Sequence, residues 1–387
     1  SRAIEAVRRG EARAVVVAGA ETKRRDDLAR RADVTLARPK PFTKADELVA
    51  PAGEIVARPE VEIGAVLPVQ QYALIDSARR AANGWTLDEH RDDIAAMWAG
   101  FNDVAQTNPK AAFPGPMSAA VIRESSDANR MLAFPYNKWH NSQWSVDQAA
   151  AFVITSTETA DTCAIDLERR VFPHVGLESS LSLSLSRRAG LHRWPAMAVL
   201  GRAAETHTGR PLPTIEHVEL YSCFPAAVRV QQAELGLDPA APATITGGMT
   251  FAGGPFNNFV FQATAAMVGR LRADPGAFGL VTAVSGLLTK PGLALWSTDA
   301  PTDGVLIGDL VDDATAASTV VPLDENPSDC GAIAAYTVAG ERIAAIIDLD
   351  SGLRAVAALD DAAAAADACR SELIGSRVSV SGRSFAL

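Results

Sequence analysis

A cysteine stands at the mouth of an apolar strand in the run Tyr221-Ser222-Cys223-Phe224-Pro225, with the hydroxyls of Tyr221 and Ser222 just before it. A thiol so placed suits nucleophilic acyl chemistry if a neighbouring base lowers its pKa. The plainer reading of Cys223, and the preferred one, is a buried structural thiol. The second feature is the run Thr246-Gly247-Gly248-Met249-Thr250-Phe251-Ala252-Gly253-Gly254-Pro255. Its glycines let a ligand come close to the backbone, and a helix opened by Asn257 or Asn258 would aim N–H groups at an anion. Ser285, in Val284-Ser285-Gly286-Leu287, offers a hydroxyl with no base near it in sequence and a far higher pKa than a thiol. His140 lies beside aromatics in Trp139-His140-Asn141, whereas His174 and His217 read as satisfied structural histidines and Lys290 as a solvated lysine. The glycine run lacks the G-x-G-x-x-G order of a dinucleotide site. Cys163, Cys223, Cys330 and Cys369 have no C-x-x-C spacing, so neither a disulfide framework nor a metal site is expected.

These residues must be held by an alternation of strands and helices. The runs 14–18 and 149–154 read as fully buried strands, the second followed by a short helix over 157–163. Strands are predicted at 171–175, 217–221, 280–284 and 293–296, and helices at 196–208, 226–235 and from Asn257 or Asn258 onward, where Val260, Ala263, Met267 and Leu271 share a face. This is an α/β pattern with helices on both sheet faces. Between 22 and 144 the texture is irregular: a helical insertion, clearest over 87–101, with a mobile loop at 38–51. Short strand-like runs at 305–307, 319–321, 332–338, 343–347, 353–356 and 378–380, interrupted by an Ala-rich helix at 361–369, predict a small β-barrel or sandwich carrying one helix. The opening helix has no cap and no strand before it, which reads as a chain beginning partway through a domain.

Charge supports that division. The net charge of −10 is concentrated in residues 299–387, which hold 15 acids and 5 bases, while the remainder balances at 31 of each. A boundary is therefore expected near Thr298. The 387 residues suffice for two or three domains, and no apolar run has the length of a membrane span or a secretory core. A cytoplasmic protein is expected.

The motifs at 218–225, 246–258 and 279–290 resemble the thiolase superfamily. They are most similar to the thiolase-like proteins of type one, often labelled acetyl-CoA acetyltransferases and related to the sterol-carrier-protein thiolases. The likeness extends over nearly the whole chain: 10–21 resembles the helix-strand unit ending in Ala-Gly-Ala-Glu, and Asn129-Arg130, Phe134-Pro135-Tyr136 and Val146 to Ala150 resemble the loop region and its return strand. The resemblance implies a layered αβαβα fold with a helical loop insertion, plus a C-terminal, mainly β, OB-like domain. It assigns 1–21 and 145–163 to the N-terminal half, 22–144 to the loop region, 164–298 to the C-terminal half and 299–387 to the additional acidic domain.

Thiolases join or cleave CoA thioesters with a nucleophilic thiolate, a base and an oxyanion hole. The resemblance places the nucleophile upstream of Ser1. The residue that orients a catalytic water falls on Tyr221, in Tyr221-Ser222-Cys223-Phe224. The His of the family's Gly-His-Pro turn falls on Gly254, and the acid/base Cys of its last glycine loop falls on Ser285. Each matched position departs from the catalytic pattern, so ordinary thiolase turnover is not expected. What the resemblance leaves is a scaffold for CoA or an acyl thioester, with no tightly held cofactor. Gly247, Gly248, Gly253, Gly254 and Asn258 are the candidate contacts, His140 borders the site, and any residual catalysis would rest on Tyr221, Ser222, Cys223 and Ser285. The alternative is a scaffold or assembly protein whose acidic C-terminal domain docks a partner. Nucleic acid is disfavoured, because that domain has only Tyr336 and Phe385 as aromatics and an acidic balance. Both a monomer and a homodimer are compatible with the sequence.

Overall fold

The computed structural model describes residues 1–37 and 53–387. The loop read at 38–51 lies outside the described residues. Helix α1 (Arg2–Arg8) leads into strand β1 (Ala14–Thr22) and the polar helix α2 (Lys23–Arg31). The insertion supplies α3 (Arg58–Glu62), α4 (Pro68–Ala82), α5 (Leu87–Thr107), α6 (Ala119–Arg123) and the small hairpin of β2 (Met131–Ala133) and β3 (Tyr136–Asn137). Helix α5 starts where it does because Thr86 and Glu89 form a capping box, each satisfying the other's backbone N–H. Its Ile94, Trp98, Phe101 and Ala105 then bury one face at helical spacing.

The chain returns through β4 (Asp147–Thr155) and α7 (Thr157–Thr162), then alternates β5 (Phe172–Glu178), α8 (Pro195–Thr208), β6 (His217–Glu219), α9 (Pro225–Leu235), the single turn α10 (Gly248–Phe251), and α11 (Phe259–Ala273). Strands β7 (Phe278–Ser285), β8 (Lys290–Ser297) and β9 (Leu306–Asp309), with helix α12 (Val311–Ala317), complete this part. One sheet has the order β6-β7-β8-β5-β9, with β6 and β7 parallel and β5 and β9 parallel. Helix α11 covers one of its faces and α8 the other, as the α/β pattern requires.

Strands β1 and β4 correct the expectation of full burial. They pair antiparallel as a two-stranded ribbon, with Val16 opposite Val153. One face, carrying Gly19 and Phe152, packs on Phe261 of α11. The other leaves Val16 68% and Val153 63% exposed. Apolar residues fall on both faces, so the sequence carries no alternation to reveal which side is covered.

The C-terminal strands β10 (Ser328–Ala339), β11 (Arg342–Leu349), β12 (Arg354–Asp360), β13 (Arg377–Ser381) and β14 (Ser384–Ala386) close a barrel in the order β10-β11-β12-β14-β13, with α13 (Ala362–Ala368) between β12 and β13. The mainly β, OB-like domain is therefore present. Its boundary moves, however. Residues 306–309 pair with β5 in the central sheet, and α12 packs on α8, so the barrel begins at Ser328 and not near Thr298. The charge shift marks a change of composition thirty residues ahead of the change of domain. No helix among the described residues is long and apolar enough to cross a membrane.

Candidate functional site

Glu219 ends β6 and sets the geometry of everything after it. Its carboxylate is fully buried and accepts from Ile245 N (2.8 Å), Thr246 N (2.9 Å), Thr244 Oγ1 (3.0 Å) and Thr246 Oγ1 (3.0 Å), which ties the start of the glycine-rich loop to the strand. Burial pushes this carboxyl up to about 7, against the pull of those donors. Beyond Glu219, Tyr221 N donates to Thr282 Oγ1 at 2.9 Å, and Ser222 Oγ accepts from Met249 N at 3.0 Å. Phe224 then takes the N-cap position and Pro225 opens α9 at its first turn, where its missing N–H costs nothing.

The structure brings Cys223 and Gly254 to opposite sides of one segment, 141–143. Ser142 N donates to Cys223 O at 3.0 Å, Gln143 N donates to Met249 O at 3.0 Å, and Gly254 N donates to Gln143 O at 2.9 Å. The return segment from the insertion is thus stitched between the Tyr221–Phe224 turn and the glycine-rich loop. Gly254 is required by this closeness: a Cβ there would collide with Ser142 Oγ and come 3.1 Å from Met249 O. Gly247 is required too, since at φ +99 its Cα faces the backbone of Ala105 on α5. Gly248 and Gly253 are packed under Phe101 and Gln148, and Gln148 Nε2 donates to Ala252 O at 2.7 Å. These loop glycines are buried against the protein itself.

The Cys223 thiol is buried against Tyr72 of α4, and burial pushes it up to about 12 even though the Tyr72 hydroxyl hydrogen-bonds it. A thiol in that setting stays protonated and unreactive at neutral pH. Burial also raises Tyr221 above its ordinary range. Ser285 ends β7, exposed, and among the described residues no hydrogen bond links it to Tyr221, Cys223 or Gly254. Asn258 does not stand open to an anion at a helix start: a 3₁₀ turn over Phe256–Asn258 runs straight into α11, and the Asn258 amide donates to Gln148 O at 3.4 Å.

His140 belongs to a different neighbourhood. Its Nδ1 accepts from Asn137 N at 3.0 Å, which leaves the proton on Nε2, and burial pushes the ring down to about 3. It packs beside Tyr136, whose hydroxyl donates to the buried Asp76 at 2.7 Å and accepts from Ala226 N at 3.2 Å. Burial pushes Asp76 up, but His90 and Arg79 beside it outweigh that and hold its carboxyl below the ordinary range. This network links the insertion to the first turn of α9 and was not legible from sequence, nor were Tyr72 and Ser142. His217 and His174 are satisfied by Asp274 Oδ2 (2.8 Å) and Asp299 O (2.9 Å).

Among the described residues, cavities of about 610, 380 and 490 Å³ open elsewhere, and none of these is lined by Cys223, Gly254 or Ser285. The second adjoins the turn after Ser285, where Leu288 and Thr289 meet Arg188, Arg193 and Arg202.

No family model matches the chain, and no curated protein does. Among solved structures, a monomeric SCP2-thiolase-like protein type 1 from Mycobacterium smegmatis is 25% identical over 100% of this chain and 81% of its own, with a TM-score of 0.84. The Ltp2-ChsH2(DUF35) aldolase, 20% identical over 76% of this chain and 75% of its own, shares the fold at a TM-score of 0.53. Over its entire length, then, the chain has the fold of an SCP2-thiolase-like protein, which places its structural likeness within the thiolase superfamily.

Proposed function

We propose that this protein is a thiolase-like member of the acyltransferase class that holds CoA or an acyl thioester without ordinary thiolase turnover. The observation that carries the second half is the contact of Ser142 with Gly254, which leaves no room for a side chain where the family's histidine would sit. The protonated, buried Cys223 and the isolated Ser285 point the same way, since neither has a base to activate it. Support for thioester binding comes from the cavity of about 380 Å³ beside the Ser285–Thr289 turn. Arg193 there is paired with Glu234 at 2.6 Å, whereas Arg202 is exposed and carries no ion pair among the described residues, so it is available to a phosphate.

The experiment is calorimetric titration of the full chain with CoA and acetyl-CoA, alongside an acetoacetyl-CoA thiolysis assay. Saturable binding that Arg202→Glu weakens, with no thiolysis above background, is the expected result. Thiolysis at an ordinary thiolase rate would overturn the degenerate site. Absence of CoA binding would favour the second reading, a scaffold that docks a basic partner through its acidic C-terminal segment, for which Asp312, Asp313 and Glu341 carry no ion pair among the described residues.

A further inference from the structure

The third cavity, of about 490 Å³, lies between the ribbon and the central sheet. Its walls are apolar, formed by Phe152 and Ile154 of β4, Ala160 of α7, Val171, and Ala265 and Val268 of α11. Volume and lining are those of a small-molecule site, in which a few polar groups fix orientation. Its charged groups are all cations, Arg169, Arg170 and Arg272, beside the hydroxyls of Thr155, Ser156, Thr157 and Thr264. Trp296 of β8 is only 8% exposed, and its indole N–H has no acceptor among the described residues. A buried donor left unpaired is costly, which makes it a place where a ligand oxygen would be welcome.

The three arginines line the same cavity as Trp296. Trp296 is paired with Pro173 across the β5–β8 ladder, which brings it close to the chain that carries Arg169 and Arg170. Arg170 is pinned by Ile165 O at 3.0 and 2.6 Å and by Asp161 at 2.7 Å, and Arg272 by Arg169 O at 2.9 and 2.6 Å. The Arg169 guanidinium makes no hydrogen bond or ion pair among the described residues, so one cation is uncommitted. This end of the sheet is remote from the Cys223 region: along the β7–β8 ladder, Trp296 pairs with Gly279 and Lys290 with Ser285, about 20 Å away at strand rise.

We propose that this cavity binds an aliphatic monocarboxylate. The chain lies along Phe152, Ile154 and Val268, one carboxylate oxygen accepts from the Trp296 indole, and the charge is answered by Arg169. The site is independent of CoA binding at the Ser285 turn, and nothing in it requires that reading.

The test is calorimetric titration of the full chain with decanoate and, separately, with decylamine, each below its micellar concentration. Decanoate binds saturably, one per chain, and the amine of the same length at least about tenfold more weakly, because it meets three arginines. Ala265→Trp fills the cavity and removes binding. Trp296→Phe keeps the ring but deletes the N–H, and Arg169→Glu reverses the uncommitted charge; each weakens decanoate by about fivefold or more. Arg169 is exposed and unpaired, so that variant folds even if Ala265→Trp does not. Failure of decanoate to bind, equal binding of acid and amine, or binding unaltered in Arg169→Glu and Trp296→Phe would each overturn the proposal.

Discussion

Arg80, fully buried on α4, donates from Nε to Glu372 Oε2 at 2.9 Å and from Nη2 to Glu372 Oε1 at 2.8 Å, a two-point clasp between the helical insertion and the barrel. The same guanidinium lies over the ring of Tyr336 on β10. Removing the carboxylate leaves a buried cation with half its partners. Glu372→Ala is therefore expected to cost about 2 kcal/mol, less than a wholly buried pair because the Glu372 side chain is 40% exposed. Arg80→Met removes the buried charge itself and should cost less. Urea unfolding of both variants decides it, and an Arg80→Met loss larger than that of Glu372→Ala would show that the pair is not the anchor.

Two buried groups give opposite pH dependences. His140 falls from its usual 6.5 to about 3 on folding, because burial penalises its charge. Between those values the unfolded chain binds a proton that the native protein does not, so stability drops as pH falls from 6.5. Glu219 rises from 4.5 to about 7, again through burial. Between those values it is the native protein that holds the extra proton, so stability drops as pH rises. Each slope approaches 1.4 kcal/mol per pH unit at most, and between about pH 4.5 and 6.5 they oppose one another. Relative to the parent, His140→Gln should lose stability as pH rises through this window, and Glu219→Gln should gain it. Variants whose stability tracks the parent at every pH would show that these groups do not shift.

Gly254→Ala should destabilise by about 1–3 kcal/mol through overpacking against Ser142, and Ser142→Gly in the same chain should recover most of the loss. Gly254→His should bring no thiolysis. Thermal unfolding of the single and double variants reads the coupling directly. Additive losses would mean that Ser142 is not the obstacle.

The four thiols should separate by reactivity. Cys163 and Cys330 are exposed, whereas Cys223 is buried and pushed up to about 12. Iodoacetamide at pH 8 should label the first two in the native protein and reach Cys223 only after denaturant, by peptide mass mapping. Native labelling of Cys223 at the rate of Cys163 would contradict its placement against Tyr72.

The core elements of the central sheet were legible because their apolar runs are short and bounded by turn residues: β7 and β8 fall over 280–284 and 293–296, starting two and three residues earlier and each ending one residue later. Strand β6 proved shorter than its run, because Leu220 N already turns to Ala243 O. Full burial was misread at β1 and β4, where valines on both faces hide which side is covered. A small β domain, barrel or sandwich, was visible as closely spaced strands, but β14, only three residues long, closes it as a barrel through pairings that local pattern does not encode. At the candidate site, the residues within motifs were found and their environment was not. Tyr72, Ser142 and the Asp76–Tyr136 network reach the motifs from the insertion, with sequence separations such as 60 for Tyr136 and Asp76 and 90 for Ala226 and Tyr136, far beyond any periodicity.

Strand β10 carries one more consequence, for the order in which the chain is made. Tyr336 N donates to Ser77 Oγ on α4 at 3.0 Å, Phe134 N donates to Val338 O at 2.8 Å, and Thr337 Oγ1 returns a bond to Phe134 O at 2.9 Å. Each joins residues more than 200 positions apart. On a ribosome the insertion emerges long before its partner, and contacts of such span close slowly. Helix α4 must wait, with Ser77 bonded only to Leu74 O of its own helix and Arg80 without its carboxylate, until the barrel residues through Glu372 have been synthesised. The barrel thus acts as the keystone that lets an early segment finish folding, and a chain arrested before Ser328 should expose the α4 surface to chaperones and proteases.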